Sequence, residues 1–171
     1  LNKGELVSLL GASGSGKTTL FNVISGLTMP DCGQVLLNGE DITGTSGHIA
    51  YMLQKDLLMP HKTIIDNVAL PLIIKETKHT GNVLPFAGNK KEARDMVAPY
   101  FTDFGLEGTE YKYPHQLSGG MRQRAALLRT YMFSKEIALL DEPFSALDTL
   151  TKGEMHRWYL DVMEKINLST L

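Results

Sequence analysis

Cysteine is nearly absent. Cys32 is the single one in 171 residues, so no internal disulfide is possible and a reducing compartment fits. No apolar run reaches the ~18 residues of a membrane-spanning helix, and the first residues carry no signal-peptide pattern. An excess of one charge is also missing: 17 Lys and Arg face 19 Asp and Glu, a net charge of −2 that argues against a protein that coats nucleic acid. There is no internal repeat and no low-complexity tract. The histidines His48, His61, His79 and His156 show no ligand spacing, which speaks against a histidine metal centre. What is left, 43% hydrophobic and 21% charged, is an ordinary globular make-up, enough for one core.

Glycine is concentrated where it is chemically useful. Glu5–Leu10 is apolar without alternation, as expected of a buried parallel strand. Gly11, Ala12, Ser13, Gly14, Ser15, Gly16, Lys17, Thr18 and Thr19 follow, and then a helix expected over 17–25 that buries Leu20, Val23 and Ile24 and stops at Gly26. The run could be read as a flexible linker. Strand before and helix after favour the phosphate-binding pattern G-x-x-x-x-G-K-[ST] instead. Its glycines let backbone N–H groups converge on a helix N-terminus that favours anions. Lys17 can reach β- and γ-phosphate oxygens, and Thr18 can offer its hydroxyl to Mg²⁺.

Ile137-Ala138-Leu139-Leu140 ends in Asp141 and Glu142. Asp141 is placed to hold Mg²⁺. Glu142, on the other side of the strand, is placed to face an attacking water as general base. Ser118, ahead of Gly119 and Gly120, is expected to cap a helix that buries Ala125, Leu127, Leu128 and Met132. That helix start offers a second set of phosphate donors, which makes sense if it serves the nucleotide of another copy.

Together, GASGSGKTT, LSGGMRQR and LLDEPFSALD resemble the nucleotide-binding domain of the ATP-binding cassette (ABC) transporters. The resemblance implies an α/β fold: a P-loop NTPase (RecA-like) core over 1–62 and 118–171, a small antiparallel β layer, and an inserted α-helical subdomain over 63–117. It implies that Gln54 matches the family's Q-loop and joins Thr18 and Asp141 at the metal. It implies that Ser118, Gly119 and Gly120 contact the γ-phosphate held by an opposite subunit, and that Asp148 belongs to the D-loop at the nucleotide interface. ATP and Mg²⁺ are the implied cofactors. A second ATPase subunit in a head-to-tail dimer, transmembrane permease subunits and a solute-binding protein are the implied partners, with no nucleic acid. The implied place is cytoplasmic, peripheral on the inner face of the cell membrane. Pro-Phe after the acidic pair and Pro114-His115-Gln116 before the LSGG look most like bacterial importers of the nitrate, sulfonate and taurine group, which also includes thiamine-precursor importers. The family's adenine-stacking aromatic and switch histidine are expected outside this stretch. A soluble ABC ATPase acting on DNA or ribosomes is the main alternative, and a small-molecule P-loop kinase another.

Short strands are expected at 34–37 and 49–52, both in the antiparallel layer. An apolar helix is expected over 64–74, disturbed by Pro71. A second, with Ala93, Met96, Val97, Tyr100, Phe101 and Phe104 inward, is expected over 92–104 and divided at Pro99. The stretch 76–91 is expected to hold a surface loop. Trp158 and His115 are expected to pack locally.

Overall fold

The structure, a computed structural model, describes residues 1–80, 90–134, 136–145 and 147–171, with 75–80 described by their backbone. The loop expected near 81–89 and Ala146 lie outside the described residues. In chain order the elements are α1 (Lys17–Ile24), β1 (Leu36–Leu37), β2 (Glu40–Asp41), β3 (Ala50–Met52), α2 (Ile64–Thr80), α3 (Lys90–Val97), α4 (Tyr100–Asp103), α5 (Gly119–Phe133), β4 (Ile137–Leu140), α6 (Thr149–Ile166) and β5 (Ser169–Thr170), with a 3-10 turn over Pro114–Gln116.

The central sheet is parallel in the order β3-β4-β5, with Ala50 opposite Ala138 and Met52 opposite Leu140. β3 therefore belongs to this core sheet and not to the antiparallel layer expected for it. Ala50 and Met52 are both 2% exposed, which a strand in a half-solvated layer would not achieve. The antiparallel pair is instead β1 with β2, closed by the two-residue turn Asn38-Gly39. Both turn residues have positive φ, the geometry that matches strand twist in tight hairpins.

The expected buried strand at 5–10 is also corrected. Leu6 bridges Thr170 in parallel fashion, and Val7 N donates to Thr170 O at 2.9 Å. Yet Leu6 is 46% and Leu10 90% exposed. Among the described residues β5 is its one ladder neighbour, and its other side opens on a cleft of about 680 Å³ shared with Phe144, Tyr159 and Leu160. A continuous apolar run is buried only where both its faces are covered. In α1 the buried side chain is Phe21, not Leu20, which stays 44% exposed. The helix ends as expected before Gly26, where φ is +74° and a Cβ would collide with the Thr45 carbonyl.

α2 and α5 pack along one another, and α3 packs on α2. One apolar cluster joins them to β3, β4 and α6 through Ile64, Val68, Phe104, Leu128, Ala138 and Met155. α2 continues through Pro71 to Thr80, further than expected. Ile64, Ile65, Val68, Ala69 and Ile73, all buried, hold it helical despite the lost N–H. The division at Pro99 is as expected: α3 ends at Val97 and α4 begins at Tyr100. Met96, expected inward, is 55% exposed. Ser118 caps α5 by accepting from Met121 N, and Ala125, Leu127, Leu128 and Met132 are all buried beneath it. His115 stacks on Tyr113, and Trp158 meets Phe104 edge-on with the Arg124 guanidinium 4.6 Å over its ring.

Asp66 pins α2 to α3. Its carboxylate accepts from Arg94 Nε at 2.8 Å and Nη2 at 3.0 Å, with Lys90 Nζ at 3.3 Å. Burial pushes the Asp66 carboxyl up, but the Arg94 contact, with smaller help from Thr63 and Lys90, outweighs it and leaves it below the usual carboxylate range. A depressed folded-state pKa stabilises above the unfolded value of about 4, and the contribution is lost as pH falls through the folded value. Asp66→Asn is expected to cost about 2 kcal/mol near neutrality. Denaturant melts should show that deficit unchanged from pH 8 to about pH 5 and shrinking below pH 4.

Candidate nucleotide site

Gly16, at φ +90°, is the N-cap of α1 and offers no side chain to its first N–H groups. Those donors are left free to face a polar cleft of about 350 Å³. Ser13, Gly14, Gly16, Lys17, Thr18 and Thr19 line one wall; Gln54, Asp141 and Glu142 line the other. Gly14, at φ +80°, and Gly16 both look into open space, with no atom within 4 Å of a built Cβ. Gly11 differs: a Cβ there would meet Ser15 Oγ at 2.7 Å. Ser15 N in turn donates to Ala12 O at 3.1 Å, closing the loop. Lys17 Nζ donates to Gly11 O at 2.8 Å and Ala12 O at 3.0 Å, so the ammonium lies over the loop.

The opposite wall is set by sheet register. Asp141 N donates to Met52 O at 3.0 Å, carrying the β3–β4 ladder one residue past the strands. That brings Asp141 Oδ2 to 2.9 Å from Thr18 Oγ1, which donates to it across the loop. Glu142 has φ +48° and is exposed. Gln54 Nε2 donates to Ser145 Oγ at 3.1 Å and stands 3.5 Å from Glu142 Oε2. Of the expected residues, Ser13, Gly14, Gly16, Lys17, Thr18, Thr19, Gln54, Asp141 and Glu142 thus meet in one cleft, while Gly11, Ala12 and Ser15 stand behind its lining.

Tyr51 is the member that sequence reading missed. Its hydroxyl donates to Asp141 Oδ2 at 3.3 Å, and its ring meets Phe21 of α1 edge-on. Burial, with the Asp141 charge beside it, pushes the phenol up to about 12. A polar aromatic alternating with buried Ala50 and Met52 was the available signal.

Ser118, Gly119 and Gly120 do not line this cleft. Ser118 is exposed, Gly119 is half-buried beside Leu147, and Gly120 is buried against Thr151 and Met155 of α6. Asp148 also stands apart. It caps α6, accepting from Thr151 N at 3.1 Å and Thr151 Oγ1 at 2.6 Å, bonds that hold its carboxyl below the usual range.

A hydroxyl and a carboxylate in contact, next to a lysine and uncapped N–H donors, fit a Mg²⁺-bound triphosphate: hard oxygen donors for the cation, cationic and N–H donors for the anion.

The family model described as "ABC transporter" matches residues 1–145, and this chain belongs to that family. The chain is 47% identical over 163 residues, 95% of its length and 59% of the relative's, to the formylaminopyrimidine import ATP-binding protein ThiZ of Halalkalibacterium halodurans. It is 40% identical to the sulfate/thiosulfate import ATP-binding protein CysA of Pseudomonas syringae pv. tomato, over 100% of this chain and 51% of that one. The chain thus spans about half the length of these relatives. In fold it is similar to cbiO1 of Clostridium perfringens, part of the ABC transporter complex cbiONQ. There the TM-score is 0.78 at 22% identity, over 99% of this chain and 66% of that one. The P-loop α/β fold expected from the motifs is therefore the fold observed.

Tyr51→Phe removes one donor to Asp141 and leaves the ring packing. A single hydrogen bond to a charged group is worth about 1.5–3 kcal/mol, less at the 3.3 Å seen here. Mg²⁺-dependent nucleotide affinity, titrated on the full-length protein, should change by about 3–10-fold, with little change when Mg²⁺ is withheld.

Proposed function

We propose that this chain is the ATP-binding and ATP-hydrolysing part of an ABC importer. The observation that carries the reading is the Thr18–Asp141 contact at 2.9 Å, in a cleft that also holds Lys17, Gln54 and Glu142. In this reading the N–H groups of residues 14–19 and the Lys17 ammonium bind the phosphate oxygens. Thr18, Asp141 and Gln54 hold Mg²⁺, which when bound neutralises charge on those oxygens. Gly11, Ala12 and Ser15 keep the loop in shape. Glu142 accepts the proton of the attacking water.

The remaining donors belong to a second site. Ser118, Gly119 and Gly120 lie outside the cleft at the free start of α5, where they would face ATP held by another copy in a head-to-tail dimer. Asp148 fixes the entry to α6 at the edge of that surface. Import, as in the names of ThiZ and CysA, is the proposed direction. Permease subunits and a solute-binding protein complete the system, with this chain at the cytoplasmic face of the membrane. No helix among the described residues is long and apolar enough to cross a membrane, so docking on separate membrane subunits suits it. An importer of the nitrate, sulfonate and taurine group is the finer form of this proposal.

Lys17→Ala in the full-length protein should weaken ATP binding by about 2–5 kcal/mol and abolish hydrolysis. Unchanged affinity and turnover would remove the P-loop from the mechanism. Glu142→Gln keeps shape but accepts no proton, so hydrolysis should fall about 10²–10⁴-fold while Mg²⁺-ATP still binds. Light scattering should then find this variant monomeric with ADP and dimeric with ATP. A monomer in saturating ATP would count against the shared site.

A further inference from the structure

The segment between β3 and α2 starts with Gln54, whose amide reaches into the nucleotide cleft. Two arginines of α5 grip the residues that follow. Arg129 Nη1 donates to Leu57 O at 2.8 Å, and its Nη2 donates to Asp56 O at 2.5 Å. Arg122 Nε meets Asp56 Oδ2 at 3.3 Å, while its Nη1 donates to Leu117 O at 2.9 Å, just ahead of Ser118. Arg122 and Arg129 are two helical turns apart and share a face of α5. Leu57 is held at φ +45°, a region a branched residue avoids, and its side chain is 54% exposed. Two hydrogen bonds hold that backbone: Leu57 O accepts from Arg129, and Leu58 N donates to Asp56 Oδ1 at 3.1 Å, closing the turn across Leu57. Burial draws the Arg129 guanidinium down from its ordinary value, with the Asp56 charge opposing. A half-buried cation bonded to two carbonyls holds its segment at two points.

We propose that Arg129 and Arg122 are positioning residues that clamp the 54–58 segment to α5, so that Gln54 in one nucleotide site and Ser118 at the start of α5 move as a single body. α5 is helical from Gly119 to Phe133, long enough to carry a displacement at its middle to its N-terminus. Beside the clamp lies a cavity of about 560 Å³ lined by Gln54, Asp56, Gly119, Gln123 and Leu147. It gives the joined elements room to shift. Gln123 Oε1 faces this region buried and without a hydrogen-bond partner, a group that would gain a donor from such a shift.

This inference rests on the proposed ATP cycle, and the two fail differently. If the full-length wild type does not hydrolyse ATP, the proposed cycle falls and the clamp with it. With an active wild type, Asp56→Asn and Arg122→Gln should each lower kcat about 5–20-fold, with nucleotide Kd within two-fold. The double variant should be no worse than the more damaged single one, because both break the same link. In a Glu142→Gln background, the same changes should raise the ATP concentration needed for dimerisation about tenfold. Arg129→Lys keeps the charge but grips at one point, and should show a smaller loss of the same kind. Multiplying effects in the double variant, unchanged kcat with only a lowered Tm, or a parallel loss of nucleotide affinity would each overturn the clamp.

Discussion

A hydroxyl and a carboxylate 123 positions apart in the chain stand 2.9 Å from each other, and the organisation of the site follows from that contact. Thr18 is held by the first turn of α1, and Asp141 by the end of β4. The two can meet only if β3 and β4 pair in the register that puts Met52 opposite Leu140. A slip of one residue would turn Asp141 to the other face of the sheet. The buried cluster beneath that sheet, from Ile64 and Val68 to Leu128 and Ala138, therefore fixes the geometry of a cleft to which few of its own atoms belong.

The legible parts of the site were those written within one local segment. The glycine loop, the carboxylates after Leu140 and the serine cap of α5 each carry their chemistry in adjacent residues, and each stands where the pattern placed it. Pro99 divided its helix because proline acts on its own backbone. Contacts between segments were the part that stayed hidden. Tyr51 reaches Asp141 only through strand register, and Arg129 reaches Leu57 only through the packing of α5 against the 54–58 segment.

Short apolar strands were misread for a related reason. Val-, Leu- and Ile-rich runs look alike whether they lie in a core sheet, a thin antiparallel layer or at an open edge. Ile49–Met52 proved to be core, and 5–10 an edge beside β5. Pro71 lies in a helix that the apolar spacing did place, and five buried neighbours carry that helix on past the proline. Local preference decides where tertiary contacts are indifferent, and yields where they are not.

Four non-glycine residues among those described have positive φ: Asn38, Leu57, Glu142 and Asn167. The asparagines sit at a hairpin and a helix end, where their side chain suits that backbone. Leu57 and Glu142 gain nothing of the kind; Glu142 lines the nucleotide cleft beside Gln54, and Leu57 lies three residues after Gln54 in the adjoining cavity. An engineer seeking a more heat-resistant version would find these two positions attractive, since glycine or asparagine would relax each of them. At Glu142, however, the exchange would also take away the carboxylate proposed as the base, and at Leu57 it would disturb the turn whose carbonyl Arg129 holds, so heat resistance and turnover pull on the same two positions.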